Sequence, residues 1–370
     1  MNNNFMQDGL ELAIQLIDLL GKRSCKKRLQ VSSEELYSEL FRGGPIATFE
    51  DGKTGILEIL VSKKKLISIF KDCKQVLDAG KDFDDWKLYY ASIGVLITTP
   101  EDHRAVLLNE TVLNKIISKD PCAAGYHYNC LSALLSCDLA KTNKSANLWF
   151  YFKKMSIAKL ETLDSSSLDE MVDLILLSIA SHPRNYYACS FLRLLLAICR
   201  CKGLLGTLYE RIWDYCKSHL SDFSMWLALL EILIGKSDYF LYEFKRLGGQ
   251  LREAPHYFEE PELIQRYQEI EVWGERISTA SYSFYYVKLH LGLHLGLDIC
   301  SQYKQEFDAF ERERNYMIDV SSRQLISEKK PVPLDNDALL KQKFEGMLIR
   351  KQLYIRYGAA RNSRKSYMVH

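Results

Sequence analysis

Apolar residues along this chain recur mostly at intervals of three and four, the spacing of helices buried along one side. Leu10, Ala13, Leu16, Ile17 and Leu20 form the first such stripe, and Gly21 stands where that helix should stop. Ser32-Ser33-Glu34-Glu35 is a start signal for a short helix over Ser33–Phe41, which Gly43-Gly44-Pro45 ends. Ile46–Val61 is the least helical stretch. Its Asp51-Gly52 pair, beside Thr54 and Ile56, suits a hairpin or an irregular loop. Helical pattern resumes near Lys63 and continues, with short breaks, to about Ser321. Lys330-Pro331-Val332-Pro333 is the clearest linker. A last amphipathic helix follows, with Leu340, Phe344, Met347 and Leu348 on one face.

Within the helical region a motif repeats. It reads Thr99-Pro100-Glu101-Asp102-His103-Arg104-Ala105-Val106, then Asn143-Lys144-Ser145-Ala146-Asn147-Leu148-Trp149, then His182-Pro183-Arg184-Asn185-Tyr186-Tyr187-Ala188-Cys189. Leu220-Ser221-Asp222-Phe223-Ser224-Met225-Trp226 follows, and Ala280-Ser281-Tyr282-Ser283-Phe284-Tyr285 is a weaker copy. The closing residues Val106, Trp149, Cys189, Trp226 and Tyr285 are 43, 40, 37 and 59 residues apart. The first three steps fit a pair of helices per repeat. The last needs an insertion, placed where Gly248-Gly249 and Glu259-Glu260-Pro261-Glu262 fall. In each unit a Pro or polar turn ends one helix, and Asp102, Asn185 or Asp222 can cap the next. An aromatic side chain then packs into the groove between helices. One helix pair cannot bury its own apolar stripe, whereas a stack can. The fold class is therefore all-α. Residues 1–90 form an N-terminal helical extension with an irregular segment near 43–61. Residues 91–321 form the repeats, 322–334 a linker, and 335–370 the final helix and a basic tail.

Composition narrows the function. Apolar residues make up 47% of the 370 and charged residues 26%, which excludes disorder for most of the length. A net charge of +2 excludes electrostatic binding of nucleic acid by the chain as a whole. Lys341–His370 carries eight Lys/Arg against Glu345 alone, leaving −5 on the rest. Such a tail suits a solvated last helix, an acidic partner, a membrane surface or RNA. Ten cysteines without framework spacing suit a reducing, cytoplasmic compartment. Met1–Gly21 is interrupted by Glu11 and Asp18, so it is neither a signal peptide nor a membrane span. The Tyr-Met-Val-His ending carries no prenylation box.

Pro183–Ala188 resembles the repeat of protein prenyltransferase α subunits, typically Pro-Lys-Asn-Tyr-His-Ala-Trp. Asp222–Trp226 resembles a later repeat of that family, Asn-Phe-Ser-Ala-Trp. The resemblance spans Thr99–Leu297. It departs from the family where an Arg is usual three residues after the Trp: Asn109, Phe152, Leu192, Leu229 and Lys288 stand there. Lys153 and Arg193 come one residue late. The departures match a divergent, orphan-type α subunit, like that of the type III geranylgeranyltransferase. The resemblance implies an α-α superhelix, a right-handed crescent of stacked hairpins around a β subunit of the Rab geranylgeranyltransferase type. It implies that the partner carries the zinc and the chemistry, that geranylgeranyl diphosphate is the co-substrate, and that the client is a protein such as a SNARE. It assigns Arg184, Asn185, Tyr186 and Tyr187 to the diphosphate rim, with no catalytic or metal-binding residue in this chain.

Other candidates are weaker. His290 and His294 are spaced H-x-x-x-H but lack a metalloprotease Glu, so with Gly292 and Gly296 they read as a packed helix face. Gly52-Lys53-Thr54 resembles the end of a phosphate loop whose earlier Gly would be Ala47. Glu259-Glu260 and Asp84-Asp85 read as solvated turns or helix starts. Tyr282, Tyr285 and Tyr286 near Lys288 suit packing rather than base stacking. Two functions follow: the α-like subunit of a heterodimeric geranylgeranyltransferase, or a helical-repeat scaffold with no role in prenylation.

Overall fold

The first stripe buries all five of its residues in helix α1 (Phe5–Gly21). A Cβ at Gly21 would lie 2.3 Å from the Tyr126 ring, so this glycine serves close approach as well as termination. The computed structural model describes residues 5–22, 26–33, 41, 44–52, 55–79, 83–236, 239–277, 280–309, 312 and 337–358. The proposed helix over Ser33–Phe41 lies almost wholly outside these residues, as do the Lys330–Pro333 linker and the end of the basic tail.

Ile46–Val61 resolves as a hairpin. Strands β2 (Ile46–Asp51) and β3 (Ile56–Ser62) pair antiparallel, and Gly55 takes φ +63° in the turn. Strand β1 (Lys26–Ser32), which its charged Lys26-Lys27-Arg28 start disguises, adds parallel to β3 to give the order β1-β3-β2. Leu29, Ile59 and Val61 are buried on one face. The outer edge of β1 is tied down: Ser136 Oγ donates to the Lys27 carbonyl (3.2 Å) and Asp138 N–H to that of Leu29 (3.0 Å).

The rest of the described chain is helical: α2 (Lys63–Ala79), α3 (Asp85–Thr98), α4 (His103–Lys119), α5 (Cys122–Leu135), the single turn α6 (Ala140–Asn143), α7 (Ala146–Glu161), α8 (Ser165–Ser181) and α9 (Tyr186–Lys202). Then come α10 (Leu205–Ser218), α11 (Phe223–Ile234), α12 (Tyr239–Arg246), α13 (Glu260–Ile277), α14 (Tyr282–His294), α15 (299–309) and α16 (Asp337–Leu353), which ends in a wide π turn, Tyr354–Gly358. The fold is mostly helical, as the periodicity implies, apart from the small sheet.

The chain divides into two units. The first is Met1–Leu208 with Asp238–Pro255, and the second is Tyr209–Ser237 with His256–His370. In the first, α12 and the coil after it bolt onto α7 and α9. Lys153 pairs with Glu243 at 2.9 Å, Lys202 with Glu253 at 3.5 Å, and Gln250 N–H donates to Glu161 Oε1 (2.6 Å). In the second, α16 lies against α14 and α15. Of the expected face, Met347 is half-buried and Leu348 exposed, and the side chains of Leu340 and Phe344 lie outside the described residues; Gly346 and Leu353 are buried. The Arg350 guanidinium stacks on the Tyr285 ring (4.5 Å) and bonds the Tyr285 hydroxyl and Glu306.

Candidate functional site: a capped repeat edge and its apolar row

The repeat alignment corresponds to a single structural position. Asp102, Ser145, Asn185, Asp222 and Ser281 are the N-caps of α4, α7, α9, α11 and α14, each accepting from the N–H three residues on. Val106, Trp149, Cys189, Trp226 and Tyr285 are each the fourth residue after the cap. Trp149 and Trp226 are fully buried, and their indole N–H groups bond back to the carbonyls of Asn143 (2.7 Å) and His219 (3.3 Å).

The caps also join successive repeats. Ser145 Oγ donates to the Pro100 carbonyl (3.3 Å), Asn185 Nδ2 to the Asn143 carbonyl (3.1 Å), and Ser281 Oγ to the Leu220 carbonyl (2.6 Å). Each acceptor lies two residues before the cap of the repeat before. A side chain that accepts from its own helix and donates to the previous turn fixes both at once. Asp222 has no such proton to give, and the boundary between the two units falls within α10, the helix before it.

Asn185 is the most engaged of the residues assigned to a diphosphate rim. It is fully buried; its Oδ1 takes the N–H groups of Tyr187 and Ala188, and its Nδ2 also reaches Asn143 Oδ1 (2.7 Å) and Ser178 Oγ (3.0 Å). Asn143 in turn donates to the carbonyls of Leu135, Cys137 and Ser178. Arg184 is exposed at φ +62°, the one non-glycine with positive φ among the described residues. Tyr186 and Tyr187 are exposed beside it, 76% and 41%. The structure thus places three of the four at the surface and makes the fourth a core fastener.

Positions where the prenyltransferase resemblance would want Arg serve packing. Asn109 links Ser92 Oγ (2.8 Å) to the Tyr151 hydroxyl (2.9 Å), Phe152, Leu192 and Leu229 are core, and Lys288 pairs with Glu271 (2.7 Å). His290 lies between Tyr286 (4.3 Å) and Tyr357 (4.9 Å), with burial lowering its pKa. Among the described residues no group of three or more His, Cys, Asp or Glu could hold a metal. The Gly52 segment is a hairpin turn whose Lys53 and Thr54 lie outside the described residues. A cavity of about 540 Å³ in the first unit is lined by Lys22, Lys26, Lys27, Glu170 and Asp173. Lys26 pairs with Asp173 (3.0 Å), Glu170 with Lys159 (2.7 Å), and Lys27 caps the end of α1 through the Leu20 and Lys22 carbonyls.

What remains open is a row of apolar side chains. Leu107 and Phe150 stand at the fifth residue after their caps, 66% and 47% exposed, and Tyr186 stands one turn earlier on α9. Helices α4 and α7 run side by side here, joined by the Glu110–Lys154 pair and by Tyr151 to Asn109. Lys153 Nζ to Ser190 Oγ (3.1 Å) joins α7 to α9. Sequence reasoning missed Leu107 and Phe150: the column next to the aligned one holds them, but it does not say which of its members are exposed.

Residues 6–142 match the N-terminal domain of the ECM9 family, and residues 148–251 match its middle domain. Protein ECM9 of Saccharomyces cerevisiae (strain ATCC 204508 / S288c) is 21% identical over 323 residues, covering 80% of this chain and 83% of that protein. These matches correct the prenyltransferase assignment, and with it the geranylgeranyltransferase-subunit reading. They also remove the resemblance from which the diphosphate role of Arg184, Asn185, Tyr186 and Tyr187 came. The physical source of the likeness is visible. A short polar cap that opens a helix, with a buried residue four positions on, is a local device that any stack of helix pairs can use. Among the described residues no helix is long and apolar enough to cross a membrane.

Proposed function

We propose, on the premise that this chain belongs to the ECM9 family, that it is a helical-repeat scaffold that holds another polypeptide and has no part in prenylation. One observation carries the reading. Leu107, Phe150 and Tyr186 are exposed on α4, α7 and α9, and buried caps at Ser145 and Asn185 tie the starts of α7 and α9 to the repeat before. Scattered exposed apolar residues need no explanation, but a row on rigid neighbours marks an interaction face. A cytoplasmic address belongs to the same reading, supported by the free thiols at Cys73, Cys130, Cys137 and Cys199.

The test is the double variant Leu107→Asp, Phe150→Asp in the full chain. Polypeptides cross-linked to the wild type in cell extract should fall about tenfold or more, as loss of central apolar anchors does, with helical content and melting temperature unchanged. Retention of every cross-linked polypeptide at wild-type yield would refute the scaffold face.

A further inference from the structure

In the second unit the last repeat carries its own cover. Tyr286 is the fifth residue after the Ser281 cap, the position that Leu107 and Phe150 hold in theirs, yet it is half-buried. Tyr357, in the π turn that ends α16, packs on Tyr286 (6.2 Å) and on His290 (4.9 Å). Further back on α16, Arg350 stacks on Tyr285, bonds its hydroxyl and pairs with Glu306, while Lys351 sits over the Phe307 ring (4.2 Å). Gln302 holds the Glu306 carboxylate from one turn away on α15 (3.0 Å). The covered face is therefore aromatic with a fixed carboxylate, and what it accepts is a basic helix.

The hold is weak by construction. Among the described α16 side chains, Leu353 alone is fully buried. The rest of the grip is ionic or cation–π, on side chains still 19% (Arg350) and 31% (Glu306) exposed, where salt screens the attraction. Arg350 Nε finds no acceptor. We propose that the Tyr285–Tyr286–Glu306 face is a docking site for a basic amphipathic helix of a partner polypeptide, and that α16 is its built-in occupant, released when such a helix binds. The seated helix shows the pattern recognised: Arg350, Leu353 and Tyr357 at i, i+3 and i+7, the anchors of a helix laid in a groove. A tethered occupant acts at an effective concentration of about a millimolar. A free helix of equal affinity therefore binds poorly until α16 lets go, which makes the cover a brake on this face. The proposal goes beyond the scaffold row and uses none of Leu107, Phe150 and Tyr186, so either reading can fail alone.

A fluorescent peptide of residues 337–358, titrated into the full chain and followed by anisotropy, tests this. The wild type, its face already filled, should bind the peptide weakly. Arg350→Ala with Leu353→Asp in the chain unseats α16 and leaves the face intact. That variant should bind the peptide about tenfold or more tighter, and hydrogen exchange across residues 345–358 should speed up with it. Adding Glu306→Ala should remove the gain. In wild type, about 0.5 M salt should speed exchange in α16 but not in α14; this arm needs no variant. Unchanged exchange across α11 and α14 establishes that each variant keeps the second unit folded. An unseated variant that binds the peptide no better than wild type overturns the proposal. So does a gain indifferent to Glu306→Ala, an α16 that stays protected in the double variant, or a wild-type α16 whose exchange salt leaves unchanged.

Discussion

Replacing Asn185 tests whether the fastening between repeats is energetic or incidental. Asn185→Ala removes an N-cap, worth about 1 kcal/mol. It also removes the bonds to Asn143 and Ser178 from a fully buried place, at about 1 kcal/mol each. Asn143 and Ser178 keep each other and Trp149 as partners, so no acceptor is left wholly bare. The expected loss is about 3 kcal/mol, a melting shift of roughly 6–12 °C for a unit of this size. Asn185→Asp separates the two halves of the role. It preserves the cap acceptor but turns a carboxylate oxygen toward the Asn143 carbonyl and Oδ1. Burial and facing acceptors raise that Asp above its unfolded pKa of about 3.9. The unfolded chain then binds fewer protons, so the variant's stability falls as pH rises from about 4 through the raised value. Urea unfolding followed by circular dichroism from pH 4 to 8 should show Asn185→Asp declining toward neutrality relative to wild type, with Asn185→Ala offset by a constant amount. An aspartate variant as stable as wild type at pH 7 would mean that the inter-repeat bond contributes nothing.

Three further outcomes are expected. His127 is fully buried against Tyr89, and burial lowers its pKa to about 3. The unfolded chain therefore gains the proton first, and stability drops as pH falls from about 6.5 toward 3. His127→Gln should remove about 2 kcal/mol of the difference between pH 7 and pH 5, and an unchanged pH slope would contradict the burial argument. Arg184→Gly should stabilise by about 1 kcal/mol, since a left-handed conformation costs an L-residue about 1–2 kcal/mol; thermal melts decide it. Glu243→Leu strands Lys153 in a buried place and should cost about 3 kcal/mol, most of it restored by adding Lys153→Met, as a double-mutant cycle would show.

The helices and their starts were legible because capping is local: a short polar residue, three positions, then an apolar one. That is why the five motifs share one structural position. Ser145 and Ser281 escaped notice as caps because serine is common and its second bond, to the previous turn, is not local. Strand β1 was hidden for the same reason, since its pairing with β3 lies thirty residues away. Leu348 on α16 is exposed where the periodicity set it on the apolar face, since a stripe on one helix does not say which neighbour will cover it. The family was misread because the turn motif reports geometry that unrelated arrays share, and only matches across whole domains separate them. The apolar row needed the structure, because exposure is a property of neighbours.

The inserted segment around α12 has a consequence for biosynthesis. Lys153 and Glu161 wait for Glu243 and Gln250, which leave the ribosome some ninety residues later. Between them Tyr209–Ser237, which belongs to the other unit, must already have emerged. The second unit has therefore begun to emerge before the first is complete at Pro255, and a nascent chain halted at Leu208 holds Lys153 with no carboxylate from α12 to receive it.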